Sequence, residues 1–413
     1  MTVVTDVFQD LGKEVAQALG APAIRMSVIA HPLGELKRAA VHERSARAFP
    51  DIMGKLLAAR QQSSKAVASA QAKIIKVRGS WQDLDDHCYR QGWTDGLPVV
   101  PPLPDSVKKM LAASALAPDT VIGVVAPRMG LATVEKIATN AVMAGCRPEH
   151  FRVVLAAVRA VCAPQFNLLP MQATTNPVTP MIIVNGPIVQ QLQLNSGYNV
   201  LGQGWRSNAT IGRALRFVLG NIGGAVPGKV DKACHGQPGK LSFCIAEDEA
   251  ANPWQPLHVE RGFAADTSTV SVIGVTGTQD IIHYARTSAQ QIVDTIIRAI
   301  PREGHKNLYS GGEPMLILGP EQAAILGREK ISKEALKRKV FEGTRVELAT
   351  LDPHTVALIK SRRAAHFPAG RKTTRIPIAD RPQDIQILVA GGAGNHSVFL
   401  PTWGDTRCVT LPI

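Results

Sequence analysis

The first sixty residues alternate between strand-like and helix-like hydrophobic patterns. Residues 2–5 form a short apolar run, and residues 8–19 carry apolar side chains at helical spacing. Residues 24–30 are again strand-like, and residues 41–57 return to the helical pattern. This order is typical of a parallel βαβ unit. Because the chain begins within the first strand, we expect residues 1–60 to form only part of an α/β domain.

The remainder of the chain continues the alternation, with irregular connections and no internal repeat that we can recognise. Residues 61–80 are rich in Ala, Ser, Gln and Lys, which predicts a linker. Strand-like runs then occur at 120–125, 181–184, 241–246, 269–275, 315–318 and 385–389, and helical patterns at 133–144, 209–219, 281–300 and 332–341. The prediction is an α/β protein with a partial parallel βαβ unit followed by a large mixed-sheet α/β domain over 81–413. A break near 305–315 would divide this domain into two subdomains.

Composition is that of a globular protein. Of the 413 residues, 45% are hydrophobic and 19% charged, and we find no apolar stretch long enough for a membrane helix. The N-terminus carries Asp6, Asp10 and Glu14 and does not resemble a secretory signal. The six cysteines are scattered without paired spacing, which favours reduced thiols and a cytoplasmic location.

The formal charge of +13 is concentrated in two stretches. Residues 328–375 hold thirteen basic and five acidic residues, and residues 55–78 hold six basic residues and no acidic one. Solvated helix faces explain such stretches, and an anionic substrate or an acidic partner is the alternative. Nucleic acid is not expected as a partner, because aromatic residues make up only 5% of the chain, too few for an obvious base-stacking surface.

Cys146 is the first candidate for catalysis. It follows a predicted helix, and Arg147 and His150 lie close to it in sequence. Neighbouring cations favour the thiolate, which is the form needed for nucleophilic or redox chemistry. The alternative is a small buried hydrophobic residue, since the C-terminal end of a helix disfavours a thiolate.

A second candidate region combines thiol, imidazole and carboxylate groups within thirty residues. We assign Glu247, His258 and Glu260 to acid–base catalysis and Arg261 to substrate binding. The spacing matches no metal motif, so the metal status stays unknown. The alternative is a set of surface acids after a strand, with a histidine in a loop.

The Gly/Asn-rich loop at 195–208 leads into a helix and is the most persuasive binding site. Backbone N–H groups at a helix start attract anions, and we assign Asn195, Arg206, Asn208 and Arg213 to a carboxylate or phosphate. A plain surface loop capped by Asn208 is the alternative. His396, which follows the glycines at 391–394, is added to the substrate-binding set. The loop matches no nucleotide motif, and the sequence identifies no cofactor.

The turn His31-Pro32-Leu33-Gly34 and the strand before it resemble the UGSC-motif (seleno)protein family. They are also distantly similar to component B of the glycine, sarcosine and betaine reductases. In those proteins a reactive cysteine or selenocysteine lies upstream of the matching segment. The resemblance implies that the reactive group reaches this chain from a small Cys- or Sec-containing partner, or from codons upstream of this start.

From Trp81 onward the chain resembles a bacterial family that often accompanies UGSC domains. The resemblance is carried by the segments 94–102, 133–149, 195–213, 258–263 and 319–321. It brings no agreed reaction with it.

Together these features predict an enzyme, or a subunit of a homo- or hetero-oligomeric enzyme, for thiol- or selenol-assisted reductive cleavage of a small anionic organic substrate. Cys146 would be its nucleophile or relay. The alternative is a non-catalytic binding or scaffold subunit that presents a substrate or a partner to a redox protein.

Overall fold

The computed structural model describes residues 1–34, 36–57, 74–300, 303–370 and 372–413. The N-terminal unit consists of β1 (Thr2–Thr5), α1 (Gln9–Ala18), β2 (Met26–Ile29) and α2 (Arg38–Leu57). β1 and β2 pair in parallel, with Thr2 opposite Met26. The predicted partial βαβ unit is confirmed. Of the predicted linker, 61–73 lies outside the described residues, and 74–80 carries no helix or strand.

The large region alternates helices with short strands in both of its halves. The first half contains α3 (Trp81–Arg90), α4 (Pro104–Leu111), β3 (Val121–Val125), β4 (Gly130–Thr133), α5 (Val134–Met143), α6 (Phe151–Val161), α7 (Leu168–Ala173), β5 (Thr179–Asn185), α8 (Ile188–Gln191), α9 (Arg206–Phe217), β6 (Cys244–Ala246), α10 (Leu257–Glu260), β7 (Thr269–Val275) and β8 (Gln279–Ile282). The second half contains α11 (Ala289–Ala299), α12 (Lys306–Ser310), β9 (Met315–Leu318), α13 (Pro320–Arg328), α14 (Lys333–Gly343), β10 (Val346–Glu347), α15 (Pro353–Arg362), β11 (Arg375–Ile376), β12 (Gln386–Val389), β13 (His396–Leu400) and β14 (Val409–Pro412).

Two four-stranded mixed sheets have the same topology. Their orders are β14-β7-β5-β6 and β8-β13-β9-β12, and in each only the last pair is parallel. β8 follows β7 in the chain but joins the second sheet, and β14 follows β13 but joins the first. The two halves therefore repeat one arrangement and exchange their final strands, a relation that the sequence did not reveal.

Each sheet is buried on both faces. The apolar side chains between the two sheets are Met181, Ile183, Ile245, Ile273, Val275, Met315, Ile317, Leu388 and Leu400. Alternate residues such as Ile182 and Leu316 point outward, where α6 and α9 cover the first sheet and α11 and α14 cover the second. The result is a helix–sheet–sheet–helix sandwich, which explains why the strands are almost wholly apolar.

The helix predicted over 281–300 is shorter than expected. Ser288 caps α11, accepting a hydrogen bond from the Gln291 N–H, and the Gln291 side chain reaches back to the Ser288 N–H. This capping box starts the helix at Ala289 and leaves residues 279–282 as β8. The break predicted near 305–315 spans α12 and the loop before β9, and the division into domains stays a prediction.

Among the described residues, no single helix is long and apolar enough to cross a membrane. One pair of helical segments, Pro148–Val161 and Pro164–Ala173, reaches that length and composition only together and is bent by 72°.

Replacing Ile183 with alanine tests the packing between the sheets. Ile183 is fully buried there, so Ile183→Ala should lower the free energy of unfolding by about 2–5 kcal/mol through lost contacts and a residual cavity. Ile282→Ala is the matched control, because Ile282 is a strand residue that is 43% exposed, and its cost should be about 1 kcal/mol or less. Urea denaturation measures both values. Equal losses in the two variants would contradict this packing.

Candidate functional site

The carboxyl ends of the parallel strands β5 and β6 bring polar side chains together. Asn185 ends β5, and Glu247 follows β6 directly. The Asn185 side-chain amide donates to Glu247 Oε2 at 2.7 Å and to Glu249 Oε1 at 2.9 Å. One amide group therefore joins two carboxyl groups. We call Asn185, Glu247, Glu249 and His258 the strand-end cluster.

Glu247 is almost completely buried, with 2% of its surface exposed. It also accepts hydrogen bonds from Asn252 Nδ2 and the Leu257 N–H, both at 2.8 Å. Burial raises the pKa of Glu247, and the nearby Glu249 adds to the rise, while Lys333 and the donated hydrogen bonds oppose it. The side chain therefore keeps its proton to a higher pH than an ordinary glutamate.

Glu249 is held by backbone as well as by Asn185. The Gly186 N–H donates to Glu249 Oε1 at 2.7 Å. Gly186 has a φ of 85°, and a Cβ there would lie 2.6 Å from the Thr267 carbonyl oxygen, so no larger residue fits. The turn after β5 thus presents its N–H to a carboxylate.

His258 completes the strand-end cluster. It is fully buried, and its Nε2 lies 3.3 Å from the Ala265 carbonyl oxygen, to which it can only donate. Nδ1 is then left as an acceptor, 3.8 Å from Glu249 Oε1. Within the described part of the chain it has no hydrogen-bond partner, and nor do the buried Asn185 Oδ1 and Thr269 Oγ1, although Asn185 and Thr269 are opposite each other on β5 and β7. A buried acceptor without a partner costs free energy. The cluster is therefore suited to binding a small group that donates hydrogen bonds.

Glu260 does not share this environment. It pairs with the buried ammonium groups of Lys333, at 3.1 Å, and Lys337, both on α14. Burial alone would raise the pKa of Glu260, but the two cations outweigh it and lower the pKa. The acid–base role of Glu260 stays a prediction. Its contacts are those of a residue that fastens α10 to α14.

Cys146 makes its hydrogen bond to α9, not to the strand-end cluster. Its thiol donates to the Thr210 carbonyl oxygen at 3.2 Å. Burial raises the pKa of Cys146 to about 12, so the thiol is protonated at neutral pH. Its role as nucleophile or relay stays a prediction, and this environment weighs against it.

Two residues of the predicted anion site are occupied by contacts within the protein. The Asn208 amide accepts from the Asn195 N–H at 2.8 Å and donates to the carbonyl oxygens of Asn195 and Cys244, both at 3.1 Å. Arg213 forms a double hydrogen bond with Asp95, at 2.7 and 2.8 Å. Asn208 therefore shapes the loop and Arg213 anchors the segment around Asp95.

The other residues of the predicted anion site lie in different places. Arg206 begins α9 and is exposed, and the Asn195 carbonyl oxygen accepts from the Ala246 N–H at 3.1 Å, beside Glu247. Arg261 pairs with Glu313 at 3.3 Å, and the half-exposed His396 pairs with Asp280 at 3.0 Å. Of these residues, Arg206 and Asn195 belong to the loop that the sequence singled out. Arg206 is exposed, and Asn195 lies close to Glu247.

The two glycine-rich loops lie against each other. The Gly391 N–H donates to the Ser196 carbonyl oxygen at 2.8 Å, and a Cβ on Gly392 would lie 1.9 Å from the Tyr198 ring. The Asp248 N–H also donates to the Val389 carbonyl oxygen at 2.8 Å, which joins the ends of β6 and β12. Both loops therefore border the strand-end cluster.

A buried serine–histidine pair does not form a nucleophile. Ser207 Oγ lies 3.1 Å from His150 Nε2 and donates to the Leu192 carbonyl oxygen at 2.5 Å. His150 Nδ1 accepts from the Arg147 N–H, so the neutral ring donates to Ser207 and cannot remove its proton.

Sequence reasoning missed Asn185 as a member of the site and assigned no role to Glu249. Asn185 is a polar residue at the end of an otherwise apolar run and precedes Gly186-Pro187, which was the available signal. Among the described residues, no group of three or more His, Cys, Asp or Glu side chains is arranged to hold a metal ion.

Thiol labelling tests the state of Cys146. A rise in pKa from 9.0 to about 12 lowers its thiolate fraction about a thousandfold, so iodoacetamide should leave it unmodified in the folded protein. Cys234 is exposed and is the internal control that should be labelled first. Peptide mass spectrometry reads both sites, and unfolding should equalise them. Labelling of Cys146 as fast as Cys234 in the folded protein would restore it as a nucleophile.

A match to a known protein family is found for the N-terminal unit. Residues 1–58 match the model of the UGSC family, which covers β1 to α2 and confirms the resemblance for this segment. None of the curated proteins with which the chain was compared matches it. The similarity to reductase component B and to the bacterial partner family stays a prediction. The first 58 of the 413 residues are thus similar to the UGSC family.

Proposed function

We propose that this chain is an enzyme, or an enzyme subunit, that supplies the acid–base centre for thiol- or selenol-assisted reductive cleavage of a small anionic organic molecule. The observation that carries the proposal is the pair of carboxyl groups, Glu247 and Glu249, joined by the Asn185 amide beside the unpaired Nδ1 of His258. A buried carboxyl with a raised pKa that shares a partner with a second carboxyl is typical of catalytic centres.

Glu247 is the general acid in this proposal. Reductive cleavage breaks a bond between carbon and a leaving group, and two electrons from a pair of thiols, or a thiol and a selenol, replace it with a C–H bond. The leaving group departs with a proton, and the sulfur or selenium pair becomes oxidised. A carboxyl with a raised pKa suits the donation of that proton, while Glu249 and His258 return it.

In this proposal the reactive sulfur or selenium comes from a small partner chain or from residues upstream of this start, as the resemblance implies. Burial raises the pKa of the thiols of Cys88, Cys146, Cys162, Cys244 and Cys408. These thiols are poor nucleophiles at neutral pH. The match of residues 1–58 to the UGSC family supports a reactive cysteine or selenocysteine elsewhere in the assembly.

Arg206 holds the anionic end of the substrate. It is exposed at the start of α9, where backbone N–H groups point in the same direction, and the loop before it borders the strand-end cluster through Asn195. The scaffold alternative rested on the basic stretch 328–375, but Lys333, Lys337 and Arg363 of that stretch are buried against Glu260 and Asp380. Its surface is less basic than the sequence count suggested.

Glu247→Gln tests the acid directly. We expect it to lower kcat/KM at least about a hundredfold, because an amide cannot donate the required proton. The assay uses the chain purified from its host with any co-eluting thiol or selenol chain. Dithiothreitol is the reductant, and the substrates are small carboxylic acids with nitrogen, oxygen or sulfur leaving groups on the α-carbon. Release of the leaving group and oxidation of the dithiol are followed together.

Glu303→Gln is the matched control, because Glu303 is exposed, and it should retain full turnover. The wild-type rate should also fall as the pH rises through the raised pKa of Glu247, above its ordinary value of 4.5, because the acid must be protonated. Loss of this descending limb in Glu247→Gln, at unchanged melting temperature, separates catalysis from folding. Wild-type turnover by Glu247→Gln would contradict the role of this residue, and the absence of dithiol-dependent turnover in the wild-type complex would contradict reductive cleavage.

A further inference from the structure

A cavity of about 280 Å³ lies between the N-terminal unit and the large domain. On one side α1 contributes the polar side chains Asp10, Lys13, Glu14 and Gln17. On the other side lie Arg128, Gly224, Val226, Lys229 and Val230. The segment similar to the UGSC family and the large domain therefore build this cavity jointly.

The wall contributed by the large domain is firmly held. The Arg128 N–H donates to the Gly223 carbonyl oxygen at 2.9 Å, and the Arg128 side chain lies directly over Gly224. Gly224 has a φ of 76°, and a Cβ there would be 3.0 Å from Arg128 Nε. The Val226 carbonyl oxygen accepts the N–H groups of Lys229 and Val230 in a tight turn. The protein itself therefore holds Arg128 in position, and no bound ligand is required for this.

The charges lining the cavity do not cancel. Arg128 Nε pairs with Glu14 at 3.1 Å, and Lys13 lies 3.6 Å from Asp10. The exposed Lys229 has no carboxylate within 4.0 Å among the described residues, which leaves one positive charge in excess. A phosphate dianion would face two existing carboxylates, whereas a single carboxylate balances the lining.

We propose that this cavity binds a small organic monocarboxylate and that the bound molecule fastens α1 to the large domain. Its carboxylate lies between Lys229 and Lys13 on opposite walls, and its carbon chain contacts Val226 and Val230. The volume is just below the range of about 300–1,000 Å³ for larger ligands, which favours a molecule of a few carbon atoms. The site is separate from the strand-end cluster and does not depend on the function proposed for it.

Calorimetric titration of the full chain with sodium butyrate, butyramide and butylamine tests the charge preference, at constant ionic strength. Butyrate should bind, and the neutral amide and the cationic amine should not. Lys229→Gln should weaken butyrate binding about tenfold, because one charge-assisted contact is lost. Lys339→Gln, which alters an exposed lysine on α14, should bind like the wild type.

Hydrogen exchange provides the second readout. Butyrate should slow the exchange of α1 amides in the wild type and not in Lys229→Gln, because the ligand joins α1 to the opposite wall. Equal binding of butyramide, unchanged binding in Lys229→Gln, or the absence of both heat and protection with butyrate would overturn the proposal. Stronger binding of inorganic phosphate than of butyrate would overturn the assignment to a monocarboxylate.

Discussion

The packing of the two mixed sheets against each other determines where everything else lies. Ile183 and Ile245 of the first sheet meet Ile317 and Leu388 of the second, and helices cover the outer faces. This core is largely composed of branched and flexible apolar side chains. Their close packing fixes how the strands of one sheet are positioned along those of the other. The ends of β6 and β12 consequently meet in the Asp248–Val389 hydrogen bond. The strand-end cluster lies at that junction.

The exchange of final strands reinforces this packing. β8 pairs with β13 and β14 pairs with β7, so each sheet is completed by the other half of the chain. Separating the two halves of the chain would therefore expose the core and break two strand pairs at once. In contrast, among the described residues the N-terminal unit is joined to the large domain by the Glu14–Arg128 ion pair. This pair is partly exposed and solvent-screened, and the ligand proposed for the neighbouring cavity would fix the orientation of α1.

Local patterns predicted much of the secondary structure but little of the site. The strand predicted at 181–184 lies within β5, and the helix predicted at 133–144 closely matches α5, because both depend on nearby hydrophobic spacing. The sequence identified Glu247 as a candidate catalytic residue. Its partner Asn185 is 62 residues away in the chain, and the environment of Glu247 is set by tertiary packing. Lys333 and Lys337 belonged to a stretch whose charge indicated a solvated surface, yet they are buried beside Glu260. Burial and long-range pairing determine the pKa values of these side chains, and neither can be predicted from the local sequence.

The central claim is that Glu247, whose pKa is raised by burial, serves as an acid. The most direct measurement is a pH series of infrared difference spectra between the wild type and Glu247→Gln, in the carbonyl region. The proposed acid predicts a protonated carboxyl band, absent in the variant, that persists in the wild type above the ordinary glutamate pKa of 4.5. Loss of this band at or below that pH would contradict the claim.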